Sequence, residues 1–95
     1  MAVAVVQEFT GPAYDRSTNS ISEKLGAHAN PPAGLILHSA GFAAPGVFRI
    51  FDVWESEADW ERFRDERLMP VVMQVAGAAP PPSVYSYEFH EVVAP

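Results

Sequence analysis

Val47 to Trp60 reads VFRIFDVWESEADW. Its first eight residues predict a strand whose two alternating sets are both largely apolar: Phe48, Ile50 and Trp54 on one, Val47, Phe51 and Val53 on the other. A strand of that kind is covered on both faces. Ser56 then opens a helix, with Asp59 in an acidic form of the capping box and Glu57 favouring the positive helix end. Asp52 lies inside the apolar run. An ionised carboxylate buried alone is costly, so Asp52 requires a partner or an altered pKa.

Working outward, Gly34 to Ala40 (GLILHSA) reads as the preceding strand and Gly41 to Gly46 (GFAAPG) as a hairpin loop. Met1 to Phe9 is valine-rich and predicts a first strand. Thr10 or Gly11 can cap a helix that Pro12 begins, with Tyr14, Thr18, Ile21 and Leu25 as one narrow inward stripe. Ser17, Asn19, Ser20 and Ser22 are poor interior helix formers, so packing must hold that helix. Gly26 stops it and Asn30-Pro31-Pro32 prevents its continuation. After the opening stretch, Pro70 is expected to interrupt the second helix, with Met69 to Ala76 as a kinked or separate turn ended by Gly77. Pro80-Pro81-Pro82 forms a stiff connector, and Ser83 to Val93 alternates as a fourth strand.

The order strand, helix, strand, strand, helix, strand is that of an α+β, ferredoxin-like βαββαβ unit, a four-stranded antiparallel sheet with both helices on one face. Two helices cover one sheet face, yet the third strand is apolar on both. The simplest cover for the second face is another copy of the chain, so a homodimer with sheets packed face to face is expected.

Composition narrows the function classes. At 95 residues the chain is expected to form a single domain over residues 1–95. Hydrophobic residues make up 48% and charged ones 19%, below the ~25% charge typical of soluble domains; that excess of apolar surface again favours self-association. A net charge of −6 with one lysine, Lys24, argues against nucleic acid or an anionic membrane as partner. Without cysteine there is no disulfide, thiolate metal site or thiol nucleophile. The opening MAVAVV is too short for a signal h-region and has no basic start, no apolar run approaches the ~20 residues of a membrane span, and a cytoplasmic location is expected.

GLILHSAG, the hairpin, FDVWES and then ADWERFRDERLMP, between Gly34 and Pro70, resemble the dimeric α/β-barrel proteins of the antibiotic-biosynthesis-monooxygenase group. That resemblance implies one of several outcomes: cofactor-independent quinone-forming monooxygenase, haem-degrading oxygenase, polyketide cyclase, muconolactone-type isomerase, or a member with no known activity. The haem-degrading branch carries an axial histidine on its second helix. This helix has none, and Gln7 stands on the first strand where an asparagine would be looked for, so haem is not expected.

His38 sits among Leu35, Ile36 and Leu37, either as a packed histidine bonded to a neighbouring strand or as a general base. Asp52 on the adjacent strand would orient it if the hairpin register puts both on one face. On the second helix Arg64 and Arg67 fall on the same arc as Trp60, Phe63 and Leu68. Guanidinium groups there require carboxylates, such as Asp52, Glu88 or a partner subunit, or else a substrate anion. Tyr14, Trp54, Trp60 and Phe63 are core residues by base rate, and are also suited to walling a pocket for a flat aromatic molecule. His28 and His90 have no metal-ligand spacing with each other or with His38. The functional expectation is therefore an enzyme of monooxygenase or cyclase type without flavin, metal or haem. His38 and Asp52 would be catalytic, with an aromatic or polyketide-derived molecule held between sheet and helices by Tyr14, Trp54, Trp60, Phe63, Arg64 and Arg67. The alternative is a non-catalytic dimeric module that binds a ligand or a protein.

Overall fold

The computed structural model describes residues 2–16, 21–76 and 83–94. Four strands, β1 (Val3–Thr10), β2 (Leu35–Ala44), β3 (Val47–Trp54) and β4 (Ser83–Glu88), form one antiparallel sheet in the order β2-β3-β1-β4. Between β1 and β2 lie a 3-10 turn (Pro12–Tyr14) and a short helix α1 (Ile21–Leu25). Between β3 and β4 runs a helical segment made of α2 (Glu57–Phe63), a π turn (Arg64–Leu68) and α3 (Met69–Ala76). This is the βαββαβ arrangement, with β1 and β3 central.

The doubly apolar β3 is explained by its place in the sheet. Its Phe48, Ile50 and Trp54 set is buried with Val3, Val5 and Phe9 of β1 against Ile21, Leu25, Trp60, Phe63, Leu68 and Val72 of the helices. Each fully buried side chain of the size of Ile50 or Phe9 stabilises by about 1.5–3 kcal/mol. The opposite set reaches the outer face, in cross-strand rows Leu37–Val53–Ala4–Tyr87 and Ser39–Phe51–Val6–Tyr85. There Leu37, Tyr85 and Tyr87 are 47%, 59% and 48% exposed.

Several boundaries differ from the sequence expectation, each for a physical reason. β2 continues to Ala44 instead of breaking at Gly41, because Phe42 packs on Phe48 with ring centroids 5.2 Å apart. The turn shrinks to Pro45-Gly46, with Gly46 at φ 71°, a Pro-Gly pair suited to a two-residue connection. Pro12 to Leu25 does not form one described helix: Asp15 leaves the 3-10 turn extended, at φ −72° and ψ 155°. Tyr14, Ile21 and Leu25 of the expected stripe are still buried; Thr18 lies outside the described residues. The helix after Ser56 passes through Pro70 instead of being interrupted. Proline removes a donor and crowds the preceding turn, and the π turn widens that turn, with the Met69 N–H donating to Arg64 O. Gly77 and Pro80-Pro81-Pro82 lie outside the described residues. β4 ends at Glu88, well short of Val93, because Glu88 already pairs with Val3, the first residue of β1.

The N-terminal cap has the predicted form. Ser56 Oγ accepts from the Asp59 N–H at 3.2 Å and donates to Asp59 Oδ2 at 2.9 Å, and Asp59 also pairs with Arg62. Bonding to Ser56 and then to Arg62 holds the Asp59 carboxyl below its ordinary pKa.

Candidate functional site

The register of β2 on β3 decides whether the two candidate catalytic residues meet. Leu35 pairs with Trp54 and Leu37 with Val53, so Ile36 is an extra residue in a bulge. That bulge resets the alternation. Leu35 packs on the core, Leu37 reaches the outer face, and His38 comes opposite Asp52 on the helix side. His38 Nδ1 lies 2.7 Å from Asp52 Oδ1. Asp52 is 1% exposed, and the His38 side chain 24%.

A second strand completes the carboxylate's surroundings. Gln7 on β1, wholly buried, donates from Nε2 to Asp52 Oδ2 at 3.4 Å. Both carboxylate oxygens thus have a donor, which offsets the cost of burying the charge. Bonding to Asp52 raises the His38 pKa, burial opposes this, and the Asp52 charge reinforces it. With Nδ1–H committed to Asp52, neutral His38 keeps Nε2 as its basic lone pair. His38 borders a cleft of about 340 Å³ whose other walls include Leu35, Ile36, Leu37, Pro31 and His28. An imidazole held at Nδ1 by a carboxylate is chemically suited to accept a proton at Nε2.

The remaining sequence candidates are placed elsewhere. Trp54, Trp60 and Phe63 form an aromatic triad in the core, with centroids 5.1 to 6.5 Å apart, and do not line the His38 cleft. Tyr14 packs on Phe9 with centroids 5.2 Å apart, and burial raises its pKa. Tyr14 OH, Trp54 Nε1 and Gln7 Oε1 are buried without a hydrogen-bond partner among the described residues. The arginines do not take Asp52 or Glu88 as partners. Arg64 pairs with its neighbour Asp65 at the surface, Nε to Oδ1, 2.9 Å. Arg67 donates to Leu25 O at 2.6 Å and Asn30 O at 3.0 Å, and its guanidinium stands 5.4 Å from the Phe63 ring centroid. Arg67 lies within the π turn, and the carbonyls of Leu25, at the end of α1, and of Asn30 in the following loop serve as its acceptors. Gln7 is the residue that sequence reasoning gave no role in the site. Its signal was present: a lone amide on the same alternating set as Val3, Val5 and Phe9. Among the described residues no group of three or more His, Cys, Asp or Glu side chains could hold a metal ion.

No protein-family profile matches the sequence, and no curated protein matches it. Solved structures do. Rv0793 from Mycobacterium tuberculosis superposes with a TM-score of 0.78 at 15% identity, over 99% of this chain and 100% of that one. A proposed antibiotic biosynthesis monooxygenase from Deinococcus radiodurans gives 0.69 at 11%, over 99% and 97%. SnoaB, a cofactor-independent oxygenase from Streptomyces nogalater, gives 0.71 at 14%, over 97% and 96%. The chain has the ferredoxin-like fold of the antibiotic-biosynthesis-monooxygenase group. At these identities the likeness to that group carries the fold and not the chemistry. No described helix is long and apolar enough to cross a membrane.

Proposed function

We propose that the chain, residues 1–95 acting as one domain, is a small cofactor-independent enzyme of monooxygenase or cyclase type. Its substrate class is an aromatic or polyketide-derived molecule carrying an acidic hydroxyl or methylene. The observation that carries this reading is the His38–Asp52 pair: a base with Nδ1 2.7 Å from a buried carboxylate, bordering a cleft of mixed polar and apolar lining. His38 Nε2 takes the substrate proton. In the oxygenase form the resulting carbanion combines with dioxygen to give a hydroperoxide, which loses water to leave a carbonyl: one CH₂ and one O₂ become one C=O and one H₂O. In the cyclase form the same carbanion attacks an internal carbonyl. The fold shared with SnoaB, itself a cofactor-independent oxygenase, supports the oxygenase form.

The protein acts in the cytoplasm as a homodimer whose outer sheet faces cover each other. A non-catalytic dimeric module is the second reading, favoured by the tight core packing of Trp54 and Trp60. Oxygen uptake and quinone absorbance with a panel of anthrones and hydroxynaphthalenes, without added flavin or metal, separate the two. The enzyme reading expects one O₂ per quinone and a loss of roughly 10²–10⁴ in kcat in His38→Ala. A His38→Ala protein that turns over normally removes the base.

A further inference from the structure

We propose that Gln7 is a positioning residue for this site: its amide anchors the Asp52 carboxylate so that neutral His38 keeps its proton on Nδ1 and presents Nε2 to the cleft. The inference rests on the reading of His38 as the proton-moving group. β1, β3 and β2 are adjacent strands, and Gln7, Asp52 and His38 lie on their common helix-facing side. Asp52 Oδ1 meets His38 Nδ1 and Oδ2 meets Gln7 Nε2, so the carboxylate is held from both flanking strands. Chemistry dictates which end of the amide faces Asp52, because turning Oε1 toward it would oppose two acceptors.

A simple space-filling role does not account for Gln7. The residue is fully buried beside Val5 and Ile50 in the sheet, and Oε1 has no partner among the described residues. A leucine or methionine would fill that volume without stranding an acceptor. What Gln7 supplies, among the described residues, is the donor on Oδ2. Without it the carboxylate can turn about its terminal bond, and the ring proton is free to move to Nε2, the nitrogen free imidazole favours. The base would then face the cleft with its lone pair capped.

The experiment is long-range ¹H–¹⁵N NMR of the histidine rings in the full chain, for wild type, Gln7→Met and Asp52→Asn. His28 lines the same cleft, and Glu57, bonded to Ser86 of β4, and Glu88 share this side of the sheet. The His38 ring nitrogens are therefore followed individually. In wild type the neutral ring is expected to be mainly the Nδ1–H form. In a folded Gln7→Met the Nε2–H form should rise at least threefold, toward the Asp52→Asn pattern. An unchanged tautomer in folded Gln7→Met overturns the proposal. Should that variant not fold, the wild type decides: the Gln7 side-chain amide protons should shift with the same midpoint as His38, and an amide indifferent to that titration overturns the proposal equally. Neither readout uses turnover, so the absence of enzymatic activity and the absence of a Gln7 role are separate results.

Discussion

At the residue scale, His38 and Asp52 turn two ambiguous letters into one chemical unit. A histidine among leucines and an aspartate among aromatics each had an ordinary structural reading, and the 2.7 Å contact joins them. The pairing has a consequence for stability. Because Asp52 raises the folded-state pKa of His38, folding favours the protonated ring. The stabilisation is fully present below the unfolded pKa of ~6.5 and is lost as pH rises through the higher folded value. Thermal unfolding should therefore show the melting temperature falling over that interval, and falling less in His38→Gln. Equal slopes for the two proteins would mean the pair does not couple to folding. Catalysis has the opposite sense, since the base works deprotonated and turnover should rise with pH across the same range.

At the element scale, the helix after β3 is fixed at its start by a small polar network, and Gly34 is fitted to it. Gly34 adopts φ +85°, and a Cβ there would collide with the Asp59 side chain that bonds Ser56 and Arg62. Its carbonyl also accepts from the Glu55 N–H at 2.8 Å. Gly34→Ala thus meets both backbone strain and a lost cap, and should destabilise by about 1–3 kcal/mol. Urea unfolding with an unchanged m-value would measure it; a variant within 0.5 kcal/mol of wild type, the ordinary range for a surface change, would mean Asp59 moves aside freely. Further along, Arg67 ties this helix to the end of α1 and to the loop that walls the His38 cleft, through Leu25 O and Asn30 O. The arginine that the sequence offered for a substrate thus spends donors on two backbone carbonyls.

At the scale of the whole molecule, the unequal faces of the sheet dominate. The helix side closes over a core, while the outer side carries Leu37, Val53 and Tyr87 in one cross-strand row and Phe51, Val6 and Tyr85 in the next, which ends on Ser39 of β2. The Glu8–Arg49 pair borders them, with Arg49 Nη2 to Glu8 Oε2 at 2.6 Å. The proposed homodimer would cover this patch. Sedimentation at micromolar concentration is expected to give a dimer, and Phe51→Glu a folded monomer. A monomeric wild type would end the face-to-face proposal.

The sequence by itself determined the order of elements, the doubly apolar third strand, the Ser56 cap and the choice of Phe48, Ile50 and Trp54 as a core set. These follow from periodicity and local hydrogen bonding, which act within a few residues. The meeting of His38 with Asp52 was decided by the Ile36 bulge, and the bond from Gln7 by β1 lying beside β3; both depend on pairing between distant segments. The partners of Arg67 and the passage of the helix through Pro70 were likewise tertiary outcomes, because one added residue in a helical turn rotates everything beyond it. In VFRIFDVWESEADW the local pattern fixed the strand and the helix, and the neighbouring strands decided what its aspartate does.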